Sequence, residues 1–237
     1  MKSNDVVRDL MNLRNSTRAQ ELQRFFQTGP GQYGEGDIFL GLRVPQVRVV
    51  AKSYSSLNLV EVEKLVQSEF HEIRLCGVIL LANQFKTSHD TRTRKQIFEM
   101  YIKATSDGYV NNWDLIDVIA PTIGAYLLGK SNPMPTLVKL AKSKSLWERR
   151  LGVLFTFAFI RAGKYEPTMI IAKILLNDSH ELIHKAIGWM LREVGNRNPI
   201  LLRNFLEQNY QDMPRTALRY AIEKLPARER KVWLNRK

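Results

Sequence analysis

The sequence is poor in the residues that build disulfide frameworks and membrane spans. Its 237 residues include one cysteine and four histidines. The lone Cys76 excludes an internal disulfide framework and a cysteine-rich zinc site, and its apolar neighbours indicate a small buried core residue. No stretch reaches the roughly 18 apolar residues that a membrane-spanning helix needs. Charged residues within the first ten positions do not fit a signal peptide. We therefore expect a cytoplasmic protein without membrane association.

Common nucleophile and nucleotide-binding signatures are also missing. The sequence has no G-x-S-x-G elbow and no P-loop, so we expect no nucleotide cofactor and no ATP hydrolysis. The segment Gly29–Gly34 matches G-x-G-x-x-G by spacing. However, a helical pattern precedes this segment and Pro30 interrupts it, whereas the dinucleotide fingerprint follows a strand. We interpret the segment as a turn.

A second misleading pattern is His180–His184, which matches the zinc-protease motif H-E-x-x-H. Two histidines four residues apart on a helix can bind zinc, with the glutamate as base, but a third ligand is required. The positions where that ligand would be expected are Met190 and Asn204. We therefore expect no metal and no cofactor, and we interpret His184 as a residue near a phosphate.

Positive charge is abundant and unevenly distributed. The net charge is +13 and the pI is about 9.9. Residues 141–237 hold 19 Lys and Arg against 9 Asp and Glu, a net of +10, whereas residues 1–140 have a net of +3. Clustered positive charge indicates a polyanionic partner, with nucleic acid favoured over an anionic membrane surface. A solvated basic face kept for solubility is the alternative.

The apolar spacing is helical nearly throughout, and no convincing series of strands is present. Four long helical segments begin near Asn112, Ser145, Ser179 and Met213, a period of about 34 residues that is typical of solenoids. We predict an all-α, HEAT-like stack of antiparallel helix pairs forming one domain over residues 1–237. The predicted helices after the first two short apolar faces are 58–68, 69–85, 90–105, 112–129, 133–142, 145–162, 166–176, 179–195, 199–209 and 213–225, with Pro45 opening the helix before them.

The segment Thr28–Leu40 breaks the helical pattern, because glycine and proline dominate its first half. We predict a turn-rich loop or a small hairpin. Tyr33 lies at the expected tip of this loop. It is either a DNA contact or part of a structural turn.

The four recurring helices carry unusual side chains. Trp113 and Asp117 lie one turn apart on the first, and Lys185 and Trp189 lie one turn apart on the third. Stacked repeats can align such side chains along one basic, concave groove. Tryptophan at helical spacing is usually core. Asp117, by contrast, lies on a mostly apolar helix, so its carboxylate needs a partner or a function. Arg150 is the candidate partner, and a structural pair and an active site both stay open.

Three segments resemble the AlkD-like DNA alkylation-repair glycosylases, namely Asn112–Pro121, Leu146–Arg150 and Lys185–Glu193. The resemblance covers the whole chain. It implies a HEAT-like solenoid that holds duplex DNA in a basic groove and hydrolyses the N-glycosidic bond of cationic N-alkylated purines, such as 3-methyladenine and 7-methylguanine. Members of this family need not flip the base into a pocket. Some relatives with a hairpin near the glycine-rich segment resemble non-catalytic binders of bent or branched DNA, so that alternative stays open.

The resemblance also implies residue roles. Asp117 corresponds to the catalytic carboxylate, while Trp113 and Trp189 contact the backbone and sugar of the damaged nucleotide. Arg150 grips phosphate. The DNA-binding residues that we expect are Arg149, Arg150, Lys185, Arg192, Arg215, Arg219 and Tyr33. We expect the protein to act on double-stranded DNA as a monomer.

Overall fold

The structure is a computed structural model that describes residues 1–236, and its regular elements are helical. The helices are α1 (Ser3–Met11), α2 (Ser16–Phe25), α3 (Val44–Ser53), α4 (Leu59–Val66), α5 (His71–Thr87), α6 (Thr91–Ser106), α7 (Trp113–Asp117), α8 (Ala120–Ile123), a 3-10 helix (Gly124–Gly129), α9 (Met134–Ala141), α10 (Leu146–Arg161), α11 (Glu166–Ile174), α12 (Glu181–Gly195), α13 (Pro199–Asn209), α14 (Arg215–Ala221) and α15 (Ala227–Asn235). The predicted all-α fold class is confirmed. The HEAT-like stacking and the basic groove stay predictions. Over residues 1–236, no helix combines the length and the apolar character that crossing a bilayer would require.

The chain forms two compact units, the first covering Met1–Ile123 and the second starting at Gly124. The first unit is built around α5, which is buried on nearly all sides from His71 to Ala82. A helix that is apolar all round belongs in a core rather than on a surface. Helices α1, α3, α4, α6, α7 and α8 pack around it. The prediction of one domain over residues 1–237 stays a prediction.

The second unit repeats this plan around α10, whose residues from Arg150 to Ile160 are all buried. Helices α9, α11 and α12 and the 3-10 helix pack against α10, and α12 in turn packs closely on α14. A close approach at Gly188 makes that last contact possible. A Cβ atom added at Gly188 would lie 2.5 Å from the carbonyl oxygen of Ala217 and 2.5 Å from the Cβ of Tyr220.

Helix starts agree well with the cap residues in the sequence. The side chains of Asn58, Asp90, Asn112 and Ser145 accept hydrogen bonds from backbone N–H groups of α4, α6, α7 and α10, as N-cap residues do. The cap of α12 is His180 rather than Ser179, because the His180 side chain accepts from the N–H of Leu182. Most predicted helix boundaries lie within two residues of the observed ones.

Two predicted segments are wrong. The sequence predicted one helix over residues 112–129, but the structure has α7, α8 and a 3-10 helix there. Pro121 has no N–H to donate to the carbonyl of Asp117, so the helical ladder breaks at that point. The last predicted helix, 213–225, is only Arg215–Ala221. The separate helix α15, which buries Trp233, was not predicted.

The glycine-rich segment is a turn-rich loop, the first of the two predicted alternatives. Its regular pairing is limited to an isolated parallel bridge between Ile38 and Phe70. The loop is held to the rest of the first unit at its C-terminal end. The N–H of His71 donates to the carbonyl of Ile38 at 2.8 Å, and the N–H of Asn15 donates to Leu40 at 2.8 Å.

Candidate functional site: an aromatic cleft beside a buried ion network

The first unit contains a cleft of about 590 Å³, a size that suits a small organic ligand. Its wall is formed by α2, by the segment that leads into α3, by the start of α5 and by α7. The lining residues are Arg18, Glu21, Leu22, Phe25, Phe26, Phe39, Leu42, Arg43, Val44, Pro45, His71, Glu72, Leu75, Trp113, Asp114, Asp117 and Val118. Two site residues predicted from sequence, Trp113 and Asp117, thus lie on one cleft.

Aromatic rings form one side of the cleft. The ring of Trp113 stacks on Phe26, with centroids 5.2 Å apart and planes at 25°, and Phe26 stacks on Phe39 at 5.0 Å. Phe25 meets Trp113 edge-on at 6.0 Å and is 62% exposed. A solvent-exposed phenylalanine beside a stacked tryptophan offers π faces and edges to a ligand.

Carboxylates from α7 reach the same cleft. Asn112 caps α7, accepting from the N–H of Trp113 at 2.9 Å, and Asp114 accepts from the N–H of Leu115 at 2.9 Å. Asp117, at the last position of α7, is half-buried. Its charge, after the larger effect of burial, helps to raise the pKa of the neighbouring Tyr101, whose hydroxyl donates to the carbonyl of Leu115 at 2.9 Å.

Behind the aromatic wall lies a buried ion network centred on His71, which is 1% exposed. Nδ1 of His71 lies 3.0 Å from Oδ2 of Asp37, and Nε2 lies 2.9 Å from Oδ2 of Asp114. A carboxylate only accepts hydrogen bonds, so both ring nitrogens must carry hydrogen to make the two bonds. The imidazolium also stacks on Phe39 with centroids 4.5 Å apart.

Asp37 accepts four side-chain hydrogen bonds within the network. Its Oδ1 accepts from a guanidinium nitrogen of Arg74 and from the side-chain amide of Asn111 at 2.8 Å. Its Oδ2 accepts from the amide of Asn112 at 3.1 Å. The network therefore joins the loop, the start of α5 and the residues that lead into α7.

The pKa values follow from these contacts. Burial alone lowers the pKa of His71, but the charges and hydrogen bonds of Asp114 and Asp37 outweigh burial and raise it to about 9. Burial raises the pKa of Asp37, but the hydrogen bond from His71 and the charge of Arg74 lower it to about 2. His71 is therefore positively charged and Asp37 negatively charged at neutral pH, so the two groups attract each other across their 3.0 Å hydrogen bond.

A second buried carboxylate fixes the loop. Oε1 of Glu72 accepts from the N–H groups of Gly41 and Leu42 at 2.8 and 3.0 Å, and Oε2 accepts from Leu40 at 2.8 Å. Gly41 has φ of 84°, and a Cβ added there would lie 2.1 Å from the carbonyl oxygen of Asn15. Glycine is therefore required where the loop crosses the start of α2.

The chain is similar to one protein family and to a solved structure. The model of the family described as DNA alkylation repair enzyme matches residues 6–225. The chain belongs to the DNA alkylation repair enzyme family. A solved structure described as a predicted DNA alkylation repair enzyme from Enterococcus faecalis has the same fold, with a TM-score of 0.71 over 90% of this chain and 97% of that chain, at 16% identity. The comparison with curated proteins returns no match.

The second unit of this DNA alkylation repair family member carries the other predicted site residues except Tyr33. Trp189 is half-buried on α12, with its ring centroid 6.0 Å from that of Phe157. Arg150 is 4% exposed, and its guanidinium donates to the carbonyl of Leu182. Arg149 forms an ion pair with Asp178, with Nε 2.6 Å from Oδ2. These contacts tie α10 to α12 and to the segment before it. The proposed roles of the three residues at DNA stay predictions.

The remaining predicted DNA-binding residues differ in their exposure and in their contact partners. Lys185 pairs with Glu181 at 3.2 Å, and Arg192 pairs with Glu223. Arg215 is exposed and donates to the carbonyl of Leu234 at 2.7 Å. The exposed Arg219 lines a second cleft of about 500 Å³ together with Ile222, Glu223, Ala227, Arg230, Lys231, Leu234 and Asn235. Tyr33, in the first unit, is half-buried in its loop.

The histidines of the H-E-x-x-H pattern make local contacts. Nδ1 of His180 caps α12, and Nε2 of His184 donates to the carbonyl of Asp178. Burial lowers the pKa of His180, which keeps the ring neutral and able to accept that bond. Within residues 1–236, no group of three or more His, Cys, Asp or Glu side chains is arranged to hold a metal ion.

Sequence reasoning missed the ion network behind the cleft. The signal was present at the start of α5, where His71, Glu72 and Arg74 precede a long apolar run. Polar groups on a helix that is buried all round require partners. Asp37 and Asp114 are those partners, but the loop that brings Asp37 there has no periodicity from which to predict its path.

Proposed function

We propose that this family member is a DNA glycosylase that releases cationic N-alkylated purines, such as 3-methyladenine and 7-methylguanine, from duplex DNA. The observation that carries the proposal is the common cleft of Trp113 and Asp117. It combines π surfaces with a carboxylate at the end of a short helix. Both features attract positive charge. The face of an aromatic ring does so through its quadrupole, and the carboxylate does so through Coulomb attraction.

The reaction places positive charge next to such groups. Alkylation makes the purine cationic, so it leaves with the electron pair of the N-glycosidic bond. The deoxyribose then becomes oxocarbenium-like, and water adds to its anomeric carbon and loses a proton. In this proposal the Asp117 carboxylate stabilises the cationic sugar and orients the water. Trp113 presents its ring to the sugar, and Trp189 is assigned to the same nucleotide. No metal or cofactor takes part.

The charge distribution supports duplex DNA as the substrate. Phosphate binding scales with the number of lysine and arginine contacts, and the net +10 of residues 141–237 provides them. We assign the phosphate contacts to the seven DNA-binding residues predicted from sequence. The protein would act in the cytoplasm, on the nucleoid, as a monomer with a HEAT-like, basic DNA-binding groove.

The test is base release from duplex DNA treated with a methylating agent. Purified protein should liberate 7-methylguanine or 3-methyladenine, identified by mass spectrometry, and leave abasic sites in the DNA. Binding to unmodified, bent and four-way-junction DNA should be measured in parallel. Tight binding to bent or branched DNA without any base release would favour the alternative, a non-catalytic binder of DNA structure.

A further inference from the structure

We propose that His71 is a positioning residue of this site: by holding Asp114, its imidazole ring fixes α7 so that Trp113 and Asp117 face the cleft. The expected effect of His71 on base excision rests on the proposed function. The claim that His71 fixes the orientation of α7 does not depend on that function, because this orientation can be measured without any activity.

His71 bridges two segments that are far apart in sequence. One ring nitrogen bonds to Asp37 in the loop and the other to Asp114 in α7, at 3.0 and 2.9 Å. The ring belongs to α5, the central helix of the first unit, and packs against both Phe39 and Phe26, with centroids 4.5 and 5.2 Å away. The bridge is therefore anchored in the most buried part of that unit.

Helix α7 depends on such an anchor because it has only five residues. A helix of five residues is not stable in isolation. The entropy cost of nucleating a helix exceeds the free energy gained from a single turn of hydrogen bonds. Its orientation is therefore set by tertiary contacts. Asp114 follows Trp113 directly and precedes Asp117 by three residues, so rotation of α7 about the Asp114 contact displaces both site residues together.

The charge balance of the network depends on His71. The network contains two carboxylates, Asp37 and Asp114, and two cations, His71 and Arg74, and is neutral as a whole. Loss of the Nε2 donor together with the positive charge leaves the Asp114 carboxylate buried without its partner on α5, which is strongly unfavourable. Movement of α7 toward solvent relieves that cost, and this movement would disorganise the cleft.

Two conservative variants separate the two halves of the bridge. His71→Gln places an amide N–H near the position of Nε2 and so keeps the donor for Asp114. His71→Asn places an N–H near the position of Nδ1 and so keeps the donor for Asp37 only. Both variants remove the same positive charge and should lose similar stability. A purely structural role for His71 therefore predicts equal effects on activity.

The proposal predicts unequal effects. His71→Asn should lower the single-turnover excision rate by about ten- to a hundredfold, as expected for misplaced catalytic groups, with DNA affinity nearly unchanged. His71→Gln should retain a clearly higher rate than His71→Asn. Equal rates for the two variants at equal stability would overturn the positioning role.

A fluorine label provides the readout that does not depend on activity. The chain has four tryptophans, and Trp113 alone among them lines the cleft described for residues 1–236. In protein labelled with 5-fluorotryptophan, the ¹⁹F resonance of Trp113 should shift or broaden in His71→Asn and stay near its wild-type position in His71→Gln. The resonances of Trp147, Trp189 and Trp233 should not move, which reports that the variant is folded.

Asp114→Ala removes the hydrogen bond between His71 and Asp114 by deleting its acceptor. This variant is used in place of His71→Asn if His71→Asn does not fold. Its Trp113 resonance should move as well. An unchanged Trp113 resonance in His71→Asn or Asp114→Ala would overturn the proposal whether or not the wild type excises a base. Absence of excision by the wild type, with the ¹⁹F shifts as expected, would refute the glycosylase function and leave the positioning of α7 by His71 intact.

Discussion

Nε2 of His71 lies 2.9 Å from Oδ2 of Asp114, inside the first unit and behind the aromatic wall of the cleft. Asp114 is the immediate neighbour of Trp113 on α7. The residues that we assign to chemistry are therefore tied, through one hydrogen bond between charged groups, to the central helix α5. That relationship links the stability of the first unit to the geometry of its cleft.

The free energy of unfolding should fall as the pH rises from neutrality to about 9. The pKa of His71 is raised to about 9 by Asp114 and Asp37 in the folded state, against about 6.5 in an unfolded chain. A raised pKa means that the folded state binds the proton more tightly. The stabilisation is thus complete below about pH 6.5 and is lost as the pH rises through 9.

The measurement is urea unfolding at several pH values between 6 and 10. The charged groups that face His71 are Asp37 and Asp114, with Arg74 bonded to Asp37. Since His71→Gln has no titrating group at this position, it serves as the control and should lose much less stability over the same range. A wild type and a His71→Gln variant with parallel pH profiles would show that His71 does not carry the effect.

Glu72→Gln should destabilise the first unit and loosen the loop. The Glu72 carboxylate accepts three backbone N–H bonds from residues 40–42, whereas a glutamine turns a donor toward some of those N–H groups. We expect a loss of about 2–4 kcal/mol, as for buried hydrogen bonds to a charged group. Glu99→Gln is the matched control, because Glu99 is exposed and its ion pair with Lys95 is 3.6 Å long. Equal unfolding free energies for the two variants would argue against a role of the Glu72 carboxylate in holding the loop.

DNA binding should depend steeply on salt, and Arg219 should contribute to that dependence. If several phosphates are contacted, affinity for duplex DNA falls roughly tens-fold or more between 50 and 200 mM salt. Arg219→Ala should weaken binding to all sequences alike and reduce the slope of log K against log salt by about one. Arg92→Ala removes an exposed arginine at the start of α6 and should leave the slope unchanged. Salt-independent binding by the wild type would refute phosphate contacts altogether.

The sequence predicted most helices because their signals are local. Apolar periodicity and capping side chains such as Asn58 and Ser145 depend only on neighbouring residues, and they placed most helix ends within two positions. Pro121 interrupts the helical hydrogen bonds, but the apolar spacing continues across it and predicted one helix. The short helix α15 is mostly polar, and long-range contacts hold it, namely the burial of Trp233 and the ion pair of Glu229 with Arg203.

The cleft was predicted in part. Trp113 and Asp117 lie one turn apart, so their common side follows from helix geometry alone. The partners of Trp113, namely Phe25, Phe26 and Phe39, come from α2 and the loop, and long-range packing of an aperiodic loop has no local signature. Arg150 was the candidate partner for Asp117 in the sequence. The pairing of these two residues stays a prediction.

The charge of Asp117 is the centre of the proposed mechanism. Asp117→Asn keeps the shape and most hydrogen bonds of the side chain but removes its charge. The control is Asp107→Asn, since Asp107 is exposed at the end of α6, pairs with Lys103 and does not line the cleft. DNA affinity should change little in either variant, or rise slightly for Asp117→Asn as repulsion from phosphate falls.

The most direct measurement is the single-turnover rate of 7-methylguanine or 3-methyladenine release by the wild type, Asp117→Asn and Asp107→Asn at saturating enzyme. We predict that Asp117→Asn is slower by roughly ten- to a thousandfold, a few kcal/mol of lost electrostatic stabilisation, and that Asp107→Asn matches the wild type. Excision by Asp117→Asn at the wild-type rate would contradict the role assigned to this carboxylate.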